Sequence, residues 1–171
     1  MKKLLALFVV VLGFSAASFA QSATATATAS GTIVSAIGIS KTGTDMNFGN
    51  VTTDATGGTV ILTPAGTTSV GTGTLTLVAG TKSAAVFTVT GTGTSTYAIT
   101  LPASHIITNL SDPAASMTVN TFTSTPSGTG TLANGTQDVR VGATLVVGNT
   151  TTNTPGVYTN AAGFAVTVNY N

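Results

Sequence analysis

Cysteine, tryptophan and glutamate are missing from the 171-residue sequence, and His105 is its only histidine. Charge is scarce too: Lys2, Lys3, Lys41, Lys82 and Arg140 stand against Asp45, Asp54, Asp112 and Asp138. Without cysteines or clustered histidines there is no ligand set for structural zinc or an iron–sulfur centre, and no disulfide framework. Three scattered cations beyond residue 20 cannot form the basic stripe that nucleic acid requires. A helical bundle is excluded by composition, because 38 threonines and 20 glycines are poor helix formers. What the chain does have is β-branched residues, hydroxyls and amides, the makings of a β-protein kept in water without ions.

The first twenty residues differ from the rest. Lys2 and Lys3 precede an apolar run from Leu4 to Leu12, and small residues lead to Ser18-Phe19-Ala20 before Gln21. That layout is a secretory signal peptide spanning 1–20, with cleavage expected after Ala20. The apolar run is too short for a membrane span, which needs about 20 residues. The mature chain is therefore expected to be secreted or held at the cell surface, with no membrane span of its own. Its three cations and four aspartates give a formal charge of −1.

Beyond residue 30, period-two alternation recurs and no helical stripe appears. Strands are expected at Thr32–Ile39, Asp45–Val51, Thr59–Thr63, Thr74–Val78, Ala84–Thr90, Thr96–Leu101, Ser116–Thr123, Asp138–Val147 and Gly163–Tyr170. Glycine, proline and asparagine break them at Gly57-Gly58, Pro64–Gly66, Asp112-Pro113, Asn134-Gly135 and Pro155-Gly156. Nine short strands at that spacing predict an antiparallel all-β sandwich or barrel over 31–171. The core is expected from one face of the alternation: Met46, Phe48, Leu75, Leu77, Phe87, Val89, Tyr97, Ile99, Leu101, Val139, Val141, Leu145, Val147, Phe164, Val166, Val168 and Tyr170. Threonine-rich opposite faces suit a sheet with one side in water.

Gln21–Ser30 reads QSATATATAS, alternating without a large residue. It is either a polar terminal tether or a strand whose alanines turn inward against a sheet edge.

Chemistry is hard to find. No nucleophile elbow occurs, and the Gly-Thr-Gly-Thr runs at 71–74, 91–94 and 128–131 complete neither a dinucleotide nor a phosphate-loop pattern. His105 beside Ser104 lacks an oxyanion motif, so a hydrolase triad is not expected. The four aspartates stand singly, with neither a calcium loop nor a glycosidase pair in their spacing. No cofactor or metal is expected, and a non-enzymatic role follows. Asn50, Asn109, Asn134 and Asn149 each begin a glycan-acceptor tripeptide, which chance supplies in a chain this rich in Thr and Asn.

Several stretches together carry a family resemblance: Ala29–Ile37 running into Asp45-Met-Asn-Phe-Gly-Asn-Val, Val86–Gly91, Tyr97–Pro102, Val141–Val147, and the close from Pro155 to Asn171. The mature chain resembles a family of secreted bacterial β-domains known as domain of unknown function 4402. More distantly, the Asn-Phe-Gly opening and the Val-Thr-Val-x-Tyr ending resemble spore-coat-U-type subunits of archaic chaperone–usher pili. The pilin resemblance implies an incomplete immunoglobulin-like sandwich completed by the N-terminal strand of the next subunit. Residues 21–30 would then be the donor strand, with Ala23, Ala25, Ala27 and Ala29 inward, and Phe164, Val166, Val168 and Tyr170 would form the acceptor edge. A periplasmic chaperone and an outer-membrane usher are the partners so implied. The extension could instead pair within its own chain. The competing expectation is a monomeric adhesin-like module that recognises glycan or a surface protein through Pro102–Pro113 and Ser124–Gln137.

Overall fold

The computed structural model describes residues 22–171, so the expected signal peptide and Gln21 lie outside the described residues. The chain divides into two units, Met1–Ile33 and Val34–Asn171. In the first unit, residues 22–33 form no strand or helix and all are exposed.

The second unit is all β, and every strand pair is antiparallel. In chain order its first strands are β1 (Gly38–Lys41), β2 (Asn50–Thr52), β3 (Gly58–Leu62), β4 (Thr68–Gly73), β5 (Thr76–Val78), β6 (Ala85–Thr90) and β7 (Thr96–Thr100). There follow β8 (Ser104–Asn109), β9 (Ser116–Thr125), β10 (Thr129–Thr131), β11 (Thr136–Val147), β12 (Tyr158–Thr159) and β13 (Thr167–Tyr170).

Strand β11 organises one layer. Its residues Val139, Val141, Ala143, Leu145 and Val147 are all buried, the period-two pattern of a strand with one face on the core. Along one edge its first half pairs with β6 and its second half with β3; along the other edge it pairs with β9. The change of partner falls at Gly142, where a Cβ would run into the backbone of Leu62 and Thr63, so only glycine lets the strands approach there. The resulting eight-stranded sheet follows β1-β6-β11-β9-β8-β12, with β3 and β4 branching from β11.

The facing layer comes in two pieces, the three-stranded β10-β7-β13 and the two-stranded β2-β5. Each covers one end of the large sheet. Tyr97, Ile99, Leu132 and Val168 pack on Ala85, Val89, Val139 and Val141. Leu75, Leu77 and Val51 pack on Val60, Met117, Val119, Ala143, Leu145 and Val147. The antiparallel sandwich expected from the alternation is thus present.

Several boundaries differ from the expected ones. The first strand begins at Gly38 rather than Thr32, because Ser35 is held by side chains: its N–H donates to Thr92 Oγ1 at 2.7 Å and its carbonyl accepts from Tyr170 Oη at 2.9 Å. The last strand is confined to Thr167–Tyr170, since Gly163 closes a turn from Asn160 and pairing with β7 begins only at Thr167. The segment Asp45–Val51 contributes one isolated bridge, Asn47 to Ser83, before β2 starts at Asn50. Four strands went unexpected: β4, β8, β10 and β12. β4 reads TSVGTG and has no buried residue, so no alternation marks it. β8 turns the proposed recognition loop Pro102–Pro113 largely into a sheet strand; its adjacent Ile106-Ile107 breaks the sequence alternation because Ile106 is left exposed.

Candidate strand-binding groove

Where the facing layer is divided, a groove of about 1050 Å³ opens over the large sheet. Its floor is two transverse rows of inward side chains. His105, Val119 and Leu145 stand opposite one another on β8, β9 and β11, and Ile107, Met117 and Val147 lie two residues further along. Two chain segments wall it. Asp45–Thr53 runs along one side and Thr154–Phe164 along the other.

The walls run in opposite directions. Met46 touches both core clusters, whereas Thr53 donates its hydroxyl to the carbonyl of Gly148, just past Val147. Tyr158 pairs with Asn109 at the Val147 end, and Phe164 reaches the ring of His105 at the opposite end. Neither wall is paired across the groove. Asn47 exchanges both backbone hydrogen bonds with Ser83 on the outer side, so the N–H and C=O of its neighbours Met46 and Phe48 point the other way, toward the groove. Among the described residues Met46, Phe48, Phe164 and Ala165 have no backbone hydrogen-bond partner. An apolar floor flanked by backbone groups that lack partners is a place where another strand can add.

Polar side chains fix the Val147 end. Asn153, buried, donates Nδ2 to the Ser116 carbonyl at 2.8 Å and accepts at Oδ1 from Gly148 N–H. Asn109, also buried, donates to the Thr154 carbonyl at 3.2 Å and accepts from Ser111 N–H at 2.9 Å. Asp54 closes the turn after the first wall: it accepts from the hydroxyls of Thr74 and Thr56 and from the N–H groups of Thr56 and Gly57. The Thr74 hydroxyl first, then Thr56 and the two amides, hold its carboxyl well below the usual carboxylate range. The other end is held by aromatic packing. The Phe164 ring lies 5.0 Å from Phe122, 6.0 Å from Phe87 and 6.1 Å from His105, the last two edge-on.

The residues expected at the site fall in three places. Ala23, Ala25, Ala27 and Ala29 are exposed and outside any strand. Of the expected acceptor edge, Phe164 lines the groove. Val166 packs on the first core cluster, Val168 is buried opposite Ile99, and Tyr170 spends its hydroxyl on Thr92 N–H and Ser35. β13 pairs with β7 alone, so it is an edge strand, but none of its residues lines the groove. Sequence reasoning missed the floor formed by His105, Ile107, Met117 and Val119, and the role of Met46 and Phe48 as a wall. The apolar alternation of Ser116–Thr123 was a usable signal for half of that floor.

Ser104 and His105 are consecutive in β8 and so point to opposite faces of the sheet, which keeps them from sharing a proton. Asn109 cannot serve as a glycan acceptor in the folded chain, because its amide nitrogen is buried and engaged.

Residues 37–170 match the model of a family described as Domain of unknown function (DUF4402). The matched span begins after the Ala/Thr extension. No curated protein and no solved structure matches the chain.

Proposed function

The chain belongs to the DUF4402 family, and we propose that it is an exported structural subunit whose groove takes the N-terminal extension of a second copy as an added β-strand. The observation that carries this reading is the unpartnered backbone of Met46 and Phe48 on one wall and of Phe164 on the other, over an apolar floor. An extended segment laid between them gains ladder hydrogen bonds worth about 1 kcal/mol each and covers apolar side chains worth about 25 cal/mol per Å².

The extension has the right pattern and length. The wall that ends at Phe164 is extended only at Tyr158–Thr159 and folds back at Asn160–Gly163, where the Gly163 N–H donates to the Asn160 carbonyl. Residues 21–30 would span about 33 Å at the usual strand rise, ample to cross the groove. Their alternation presents Ala23, Ala25, Ala27 and Ala29 on one side and threonines on the other, as a strand with one face on a floor requires. The start of the sequence, read as a signal peptide, supports export to the cell surface. In such a sandwich, of the immunoglobulin-like kind that the pilin resemblance implies, a periplasmic chaperone would cover the groove and an outer-membrane usher would present it. A pilus-like filament is the assembly that successive strand additions produce, since a head-to-tail contact does not close on itself. The role is structural and not enzymatic.

Sizing of the mature chain with and without residues 21–33 tests this. The full chain forms oligomers that grow with concentration, and the shortened chain stays monomeric with an unchanged β spectrum. If both remain monomers at every concentration, strand addition is wrong. A glycan bound by that monomer would put the adhesin-like reading in its place.

A further inference from the structure

The two ends of the groove differ in chemistry, and the difference selects how a second copy docks. At the Val147 end, Val157 and Leu110 stand side by side, joined by the bond from Leu110 N–H to the Val157 carbonyl at 2.9 Å, yet their side chains are 66% and 69% exposed. At the Phe164 end the exposed neighbours are Asp45, paired with Lys41 at 2.8 Å, and the small residues Gly163 and Ala165. One end is an uncovered apolar pair and the other is charged and small.

The extension has a matching feature. Its last two residues before the anchored Ser35 are Ile33 and Val34, 100% and 56% exposed. Ser35 is held to Thr92 and Tyr170, so residues past it cannot leave their own sandwich. If residues 21–30 lie in the groove of another copy, only Gly31–Val34 bridge to the donor's anchor. Four residues reach at most about 14 Å, so the donor's sandwich has to sit at the mouth where the strand leaves.

We propose that Ile33 and Val34 of one copy pack against Leu110 and Val157 of the next, so that the strand enters at Phe164 and leaves at Val157. This rests on the strand-addition reading and adds to it a direction and a subunit joint. The added strand then runs from the Phe164 end to the Val157 end, opposite in direction to the wall that carries Tyr158 and Thr159 and parallel to the wall from Met46 to Thr53. Four exposed apolar side chains leave water at one contact, which explains their exposure on an isolated chain.

The chain has no cysteine, so introduced pairs report cleanly. In the full-length mature chain, Ile33→Cys combined with Val157→Cys is oxidised at polymer-forming concentration, and Ile33→Cys with Ala165→Cys serves as the opposite-direction probe. The inference expects disulfide-linked ladders from the first pair and at least tenfold fewer from the second. Oligomers that link through Ala165, or through neither position, overturn the joint and leave strand addition standing. Absence of any oligomer overturns both. As a second measurement, Ile33→Asp weakens self-association at least tenfold, the scale of removing one buried large apolar contact. Unchanged association of that variant counts against the joint.

Discussion

Asn153 and Asn109 are the large polar side chains most fully withdrawn from water, and both serve the Val147 end of the groove. Replacing Asn153 by Ala strands the Ser116 carbonyl and the Gly148 amide, so stability falls by about 1–3 kcal/mol, read from urea unfolding midpoints. Gly130 offers a steric test in the other core region, since a Cβ there would meet the buried Tyr97 ring. Gly130→Ala lowers stability by about 1–3 kcal/mol, as overpacking does. Asp54 gives a pH signature. Its folded-state carboxyl titrates below its unfolded value of about 3.9, so its hydrogen bonds contribute fully above that pH and are lost as pH falls through it toward the folded value. The gap in unfolding midpoint between the natural chain and Asp54→Asn is therefore expected to be wide at pH 7 and to shrink below pH 4. A gap independent of pH contradicts this.

Among the elements, the two groove walls and the N-terminal extension matter most, and they can be perturbed separately. Phe164 ties its wall to Phe122, Phe87 and His105. Phe164→Ala costs about 2–3 kcal/mol of stability by lost burial and ring packing, and weakens self-association because one wall comes loose. Thr26→Pro acts on the extension alone: it removes an N–H needed for a ladder, so association weakens about tenfold while the unfolding midpoint of the sandwich stays the same. Sequence alternation located the strands that bury one clean face, such as Ala85–Thr90, Thr96–Thr100 and the long Thr136–Val147. It missed β4, whose side chains are never buried, and β12, only two residues long. The groove was half legible. Phe164 and the alternation of Ser116–Thr123 pointed to it, but Met46 and Phe48 looked like ordinary core, because one wall's role depends on the gap beside it and a gap leaves no mark in the sequence. The place of His105 in the groove was hidden for the same reason; its partner, Phe164, is remote in the chain.

At the scale of the whole molecule, the large sheet of the second unit is covered at both ends and open between them, and the sequence alternates Ala and Thr from 23 to 29. Under the proposed function, a subunit that offers a strand at one end and a place for a strand elsewhere assembles head to tail. Residue-resolved hydrogen exchange on the full mature chain, at dilute and at concentrated conditions, tests this most directly. The account predicts that the amides of Met46, Phe48, Phe164 and Ala165 gain protection at high concentration together with those of residues 23–29. Fast exchange of the extension in every oligomeric state, or of the groove walls while oligomers are present, contradicts it.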